Sequence, residues 1–158
     1  MDISPHTVPF PPGSSAPAAE LRVARLHPAA RPPRRAEAGA AGYDLFACGE
    51  QSGRMIATGI ALEIPPGWVG LIRDRSGIAA AGRGFTVAGV IDSSYRGEVK
   101  VLFDRDMQVE DGERVAQLVV VPHFSGAVAE VDGLAELSAT DRGERGFGST
   151  GRFAQEWK

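Results

Sequence analysis

Apolar residues fall in short runs along this chain: LRVARL at 21–26, IATGIALEI at 56–64, WVGLI at 68–72, FTVAGVI at 85–91, VKVLF at 99–103, VAQLVVV at 115–121 and AVAEV at 127–131. Several alternate with polar residues, and Gly and Pro break the chain between them. That pattern predicts strands of an all-β sandwich or barrel. No segment carries a long i, i+3, i+4 apolar stripe, so helix is expected to be scarce. GIAAAG at 77–82 is the one stretch that reads as a helical turn, and the 20 glycines suit tight turns between strands.

The ends of the chain differ from this middle. Residues 1–19 hold five prolines among Ser and Ala, too little apolar surface to offset the entropy of ordering, and are expected to form a disordered extension. Residues 20–141 are expected to form the β domain. The segment 142–158 is rich in Gly, Ser and Thr with Phe147, Phe153 and Trp157 as its large apolar groups, the composition of an arm that orders by covering something. A total of 158 residues suits one domain with one core.

Charge narrows the possible partners. Seventeen Lys and Arg against 20 Asp and Glu leave a net charge of −3, which argues against a broad nucleic-acid footprint. Phosphate binding, if present, has to be local. The single Cys48 precludes an intrachain disulfide, and His6, His27 and His123 lack metal-ligand spacing. With no leader-like start and no long apolar run, a cytoplasmic protein that does not enter the membrane is expected.

Five clusters carry candidate chemistry. In AGYDLFA, 41–47, Gly42 permits a close turn and Asp44 stands within an apolar strand; alone, Asp44 reads more readily as a structural carboxylate than as a functional one. RDRSG, 73–77, offers a guanidinium, a hydroxyl and backbone amides together, the three donor types that phosphate oxygens accept. A solvated charged turn is the competing reading. GVIDSSYRGEVKV, 89–101, reads as a β-hairpin whose tip sets Asp92 and Tyr95 toward one ligand, the carboxylate as base and the ring as platform. In GERVAQLVVVP, 112–122, Gln117 is polar in a strand otherwise suited to the core and needs a definite partner, a ligand or a backbone amide. DRGERGFGSTG, 141–151, contains a literal G-x-G-x-x-G at Gly146, Gly148 and Gly151, but only seven residues follow, too few for the helix a dinucleotide fingerprint requires. What remains is a flexible run of amides able to wrap a polyphosphate, with Phe147 as a face that could stack on a base.

In this order and at these separations the five clusters resemble the motifs of the trimeric dUTP pyrophosphatase family, over Ala41 to Gly151. The resemblance implies a jelly-roll-like β subunit in a homotrimer, with active sites shared between chains and closed by an exchanged C-terminal arm. It implies hydrolysis of dUTP to dUMP and pyrophosphate, keeping uracil out of DNA and supplying dUMP for thymidylate synthesis. By motif, Asp92 is similar to the carboxylate that activates water, and Tyr95 to the ring that packs on deoxyribose. Arg75, Ser76, Gly77 and Gln117 are similar to the phosphate ligands. Thr86, Gly89, Val90, Ile91 and Lys100 belong to the uracil-reading hairpin. Arg142 would address the γ-phosphate, Phe147 would cap the uracil, and Gly148, Ser149 and Thr150 would bind phosphate oxygens. Mg²⁺ would ride on the triphosphate and be touched by Asp44 through water only, which suits an ion that keeps several waters and commonly joins phosphates to carboxylates.

The chain departs from the family pattern at Asp74, where proline is frequent, at Ser94, where a second aspartate is frequent, and at Thr86, where some members have asparagine. Two other readings share the resemblance. A dCTP deaminase of the same fold needs a glutamate that would align with Leu102, and tends to carry tryptophan where Tyr95 stands. A dUTP-binding regulatory protein would dock through the proline-rich extension.

Overall fold

The computed structural model describes residues 20–144. These residues group into one unit running to Ser125 and a second beginning at Gly126. The first unit is built from seven strands and one short helix: β1 (Arg22–Arg25), β2 (Tyr43–Phe46), β3 (Gln51–Glu63), β4 (Trp68–Arg73), α1 (Ser76–Ala80), β5 (Val90–Ile91), β6 (Glu98–Val109) and β7 (Arg114–Pro122). They form two antiparallel sheets, ordered β1-β3-β6 and β2-β7-β4-β5. This is the jelly-roll-like, all-β architecture expected from the sequence.

Alternation explains the packing. In β6, Val99, Val101 and Phe103 are at most 1% exposed, whereas Glu98, Lys100 and Leu102 turn to the other face. Ile56, Ile60 and Leu62 of β3 join them from the same sheet, and Leu45, Ile72, Val115 and Leu118 meet them from the facing one. Each such side chain contributes about 1.5–3 kcal/mol when fully buried. One core therefore lies between the sheets, and the polar edges of the strands are left for chemistry.

A bulge distorts the long pair β3–β6, where the register passes from Ala57↔Lys100 to Ala61↔Glu98. The two extra residues of β3 lie in a segment containing Gly59, at φ 67°. The buried Thr58 hydroxyl donates to the Val99 carbonyl, Gly59 N donates to Glu98 Oε1 at 2.9 Å, and Gly59 O accepts from Leu26 N at 2.8 Å. The bulge thus joins β1, β3 and β6 and holds Glu98 at the start of the returning strand.

Two expectations need correction. The 89–101 segment is not a regular two-stranded hairpin, because β5 pairs with β4 through Gly70↔Ile91 and Leu71↔Val90 while β6 pairs with β3. The two limbs meet at the base, through Thr86↔Phe103 and the bonds from Val87 N to Leu102 O and from Asp104 N to Phe85 O. Each limb finds a longer partner in a different sheet. The AVAEV run is not a strand either. Alternation prepares a chain for pairing, but a strand needs an edge within hydrogen-bonding reach, and Val128 is 96% exposed. The second unit has only a 3₁₀ turn at Leu134–Glu136 as regular structure among its described residues. The helical turn read from GIAAAG is present as α1.

Candidate active site

The first group of candidate residues lies where β2, β7 and β4 run side by side. Register sets Asp44 opposite Gln117, and Gln117 opposite Arg73. Asp44 Oδ1 accepts from Arg75 Nε at 3.0 Å, and Oδ2 from Arg114 Nη1 at 3.4 Å. Arg75 also donates through Nη1 to the Arg114 carbonyl at 3.2 Å. One carboxylate, 15% exposed, thereby holds two guanidiniums in place. The structural role that Asp44 suggests when considered alone is occupied, and Arg114 is a member of the group that the sequence reading overlooked. Its position as the first residue of β7, opposite Phe46, was the available signal.

Gln117 finds the definite partner that its burial demands. Its Nε2 donates to the Asp74 carbonyl at 2.8 Å. A Cβ at residue 42 would collide with Gln117 Oε1. Gly42 is therefore needed for space beside Gln117, and its φ is not positive, so the bend at 41–42 does not itself require glycine. Arg75 leads into α1 as its N-cap residue. The amides of Ser76 and Gly77 open the helix, before any residue that could accept them within it. Both residues are exposed, and a Cβ at Gly77 would meet nothing. The turn accordingly presents free backbone donors to an anion.

The second group surrounds a cavity of about 410 Å³ lined by Met55, Val90, Ile91, Asp92, Tyr95, Glu98 and Lys100. Residues 92–95 form a turn closed by Tyr95 N donating to Asp92 O at 3.1 Å and braced by Arg96, which donates to the Ser93 and Tyr95 carbonyls. The Tyr95 phenol donates to Glu98 O at 3.0 Å, and its ring occupies the space a Cβ on Gly97 would need. Asp92 is exposed, and its carboxylate makes no hydrogen bond or ion pair among the described residues. Lys100 Nζ lies 3.4 Å from Glu98 Oε2. Met55 and Glu98 were missed in the sequence: Met55 comes from β3, far from the motif in sequence.

Gly89 and Thr86 do not line this cavity. Gly89, at φ 95°, turns its bare Cα onto Ile72, where a Cβ would come within 2.9 Å of the Ile72 Cβ, and its carbonyl accepts Ile72 N at 2.8 Å. What the glycine permits is the approach of β4. Thr86 instead donates its backbone N–H to Asp74 Oδ1. The two groups are thus tied together through Asp74, and the 410 Å³ cavity contains only the second. A larger concavity, about 1050 Å³ between Glu50–Ser52, Arg83 and Gln108–Glu113, holds none of the candidate site residues.

Arg142 belongs to the second unit, and Phe147, Gly148, Ser149 and Thr150 lie outside the described residues. Among the described residues no three His, Cys, Asp or Glu side chains converge to hold a metal. A divalent ion at this site would take its ligands from substrate phosphates and water, a donor set that Mg²⁺ accepts. No helix among the described residues is long and apolar enough to cross a membrane.

Comparison with known proteins places this geometry in a family. The sequence model of the dUTPase family matches residues 29–151. The chain is 39% identical over 141 residues to the deoxyuridine 5'-triphosphate nucleotidohydrolase of Candida albicans, covering 84% of this chain and 88% of that protein. It is 42% identical over 150 residues to the enzyme of the same name from fowl adenovirus A, covering 89% and 83%. Among solved structures, a mutant Staphylococcus bacteriophage 80alpha dUTPase with dUpNHpp superposes with a TM-score of 0.76 at 29% identity, over 84% of this chain and 99% of the other. A mutant dUTPase of the S. aureus phage phi11, described with a structural Mg(II) ion, superposes with a TM-score of 0.63 at 26% identity, over 73% and 98%.

Proposed function

The chain belongs to the dUTPase family, and from that premise we propose that it hydrolyses dUTP to dUMP and pyrophosphate, with Asp92 as the general base. The observation that carries the reading is the exposed, unengaged Asp92 carboxylate at the rim of the cavity formed by Val90, Ile91, Tyr95, Glu98 and Lys100. A cavity of about 410 Å³ suits one nucleoside, with Met55, Val90, Ile91 and Tyr95 as its apolar walls and Asp92, Glu98 and Lys100 as its charged ones. Tyr95, fixed by its bond to Glu98 O, presents its ring to the deoxyribose.

Asp92 takes a proton from water as the water oxygen bonds to the α-phosphorus. The bond from that phosphorus to the bridging oxygen breaks, and pyrophosphate leaves with its electron pair. Arg75, the Ser76 and Gly77 amides and Gln117 receive the phosphates, with Arg75 oriented by Asp44. Mg²⁺ carried on the triphosphate would supply charge neutralisation, with Asp44 reaching it only through water. The nucleoside cavity and the phosphate turn are separate in one chain, which favours a homotrimer whose sites combine groups from different subunits. Arg142, Phe147, Gly148, Ser149 and Thr150 of an exchanged arm would then close the site over the γ-phosphate and the base.

A dCTP deaminase is disfavoured because Leu102 stands where its glutamate would align, and Glu98, the glutamate that does reach the cavity, is held by Gly59 N–H and Lys100. A binding protein without turnover has no use for an unengaged base at the cavity rim. Pyrophosphate release measured with dUTP and dCTP separates the three readings. Wild type should act on dUTP, and Asp92→Asn should keep nucleotide binding while losing about 10² to 10⁴ in kcat. An Asp92→Asn enzyme within twofold of wild type would remove Asp92 from the mechanism.

A further inference from the structure

Outside both groups of candidate active-site residues, a cavity of about 350 Å³ is lined by Arg25, Arg31, Pro32, Arg34 and Phe46. Three guanidiniums gather there in a chain whose net charge is −3, and each comes from a point that the fold fixes. Arg25 ends β1 and pairs with Ile60 of β3. Arg34 exchanges backbone hydrogen bonds with Asp44 of β2, donating its N–H at 3.3 Å and accepting at 2.7 Å. Arg31 is held through its side chain, whose Nη1 and Nη2 donate to the two Asp111 carboxylate oxygens at 3.1 and 2.9 Å. Among the described residues Asp111 is the only carboxylate bonded to any of the three, and the Arg25 and Arg34 guanidiniums make no hydrogen bond or ion pair. Two positive charges are left without a counter-charge beside a third that cannot swing away. Pro32 and the half-buried Phe46 give the same cavity an apolar wall.

Each half of this lining selects a different part of a ligand. Guanidinium forks match phosphate oxygens two at a time, and an aromatic side chain packs against a flat ring. A bare anion would leave Phe46 unused, and an apolar ligand would leave the charges unpaired. The volume is one that small-molecule sites commonly have. We propose that this cavity is a further ligand site, which takes a phosphate group carried on a planar ring, the chemistry of a nucleoside monophosphate. The phosphate lies among Arg25, Arg31 and Arg34, and the ring lies on Phe46. The site shares no residue with the nucleoside cavity or the phosphate turn, and it does not depend on the reaction proposed above.

Calorimetric titration with AMP tests the site, because the 2′-hydroxyl of AMP is a group that Tyr95 should keep out of the candidate nucleoside cavity. Inorganic phosphate and adenosine serve as the two halves of the probe. Wild type should bind AMP saturably at millimolar concentration or below, and more tightly than either half. Arg25→Ala and Arg34→Ala should each weaken AMP and phosphate by about tenfold, the loss of one charge-assisted contact. Both side chains are exposed and bond to nothing among the described residues, so these variants should melt with wild type. Phe46→Leu keeps an apolar wall without the ring, and should weaken AMP severalfold while leaving phosphate unchanged. Arg22→Ala removes another exposed arginine of β1, one that pairs with Glu63, and Arg75→Ala removes the guanidinium of the candidate phosphate turn. Both should bind AMP as wild type does. The proposal is overturned if wild type shows no saturable AMP binding, if Arg25→Ala and Arg34→Ala leave it unchanged, or if Arg22→Ala or Arg75→Ala lowers it as much. An effect of Phe46→Leu no larger on AMP than on phosphate would overturn the planar ring. If Phe46→Leu does not fold, AMP binding no tighter than phosphate in wild type would do the same.

Discussion

Ala88 has φ 58°, in the left-handed region that a Cβ makes unfavourable, and it is followed by Gly89 at 95°. This pair turns the chain off its pairing with β6 and onto β4, just ahead of the candidate catalytic residue. A non-glycine residue there is strained by about 1–2 kcal/mol, of which a glycine would return part as unfolded-state entropy. Ala88→Gly is therefore expected to raise stability by about 0.5–1 kcal/mol, or about 2–4 °C in Tm by calorimetry. A fall in Tm would show that the strain is not there. Asp111 illustrates a different residue-scale effect. The Arg31 guanidinium and then the Gly49 N–H hold its carboxyl well below the usual 3.8, at about 2. A depressed folded-state value stabilises the fold above the unfolded value and loses that contribution as pH falls through the folded one. Wild type should accordingly lose stability from pH 4 down to about 2, and Asp111→Asn should flatten that part of the curve in urea melts. Asp104, lowered to about 2 by Arg105 and by Phe85 N–H, titrates in the same window and should survive as the residual slope.

At the scale of elements, the segment between β5 and β6 is defined less by its own pairing than by what each limb joins. β5 belongs to the sheet with β4, β6 to the sheet with β3, and the 92–95 turn spans the gap between them. The Tyr95 ring is held at that turn by its bond to Glu98 O and by the bare Cα of Gly97. A ring fixed against the sugar leaves no room for a 2′-hydroxyl, whereas base choice depends on other parts of the cavity. Tyr95→Ala should narrow the preference for dUTP over UTP and leave the rejection of dTTP and dCTP nearly intact, as read from kcat/KM for the four nucleotides. Relaxed base choice with sugar choice unchanged would reassign Tyr95 to the base. The motif spelled out which residues cluster at this tip but not the sheet each limb enters, because β5 is only two residues long and its partner, β4, lies outside the motif.

At the scale of the molecule, one chain holds the proposed nucleoside cavity and the proposed phosphate turn in different places, linked through Asp74. The proposed sharing of sites between subunits predicts complementation. A chain lacking residues 142–158 and an Asp92→Asn chain, each nearly inactive alone, should regain partial activity when their subunits are exchanged into mixed trimers. Closure by the arm excludes water and supplies donors to the developing charge without holding the core together, so the truncated chain should still fold. Verified subunit exchange without recovery would argue for sites completed within one chain.

Short alternating runs were enough to announce a two-sheet β fold, because a half-buried strand must alternate whatever its partner is. The candidate site residues could be named in order, since glycine, carboxylate and guanidinium at turns are local requirements. The sequence did not reveal which strands pair. AVAEV alternates as well as VKVLF, yet only the latter lies on an edge within hydrogen-bonding reach. Nor did it reveal why Gly42 and Gly89 are glycines: a missing Cβ has meaning only once Gln117 and Ile72 arrive opposite it from distant parts of the chain. The same holds for Asp44, which was legible as either structural or functional until Arg75 and Arg114 were brought to its two oxygens. Local pattern records what a residue needs, and only tertiary contact decides which neighbour meets that need, because partners separated by tens of residues leave no trace in each other's immediate sequence.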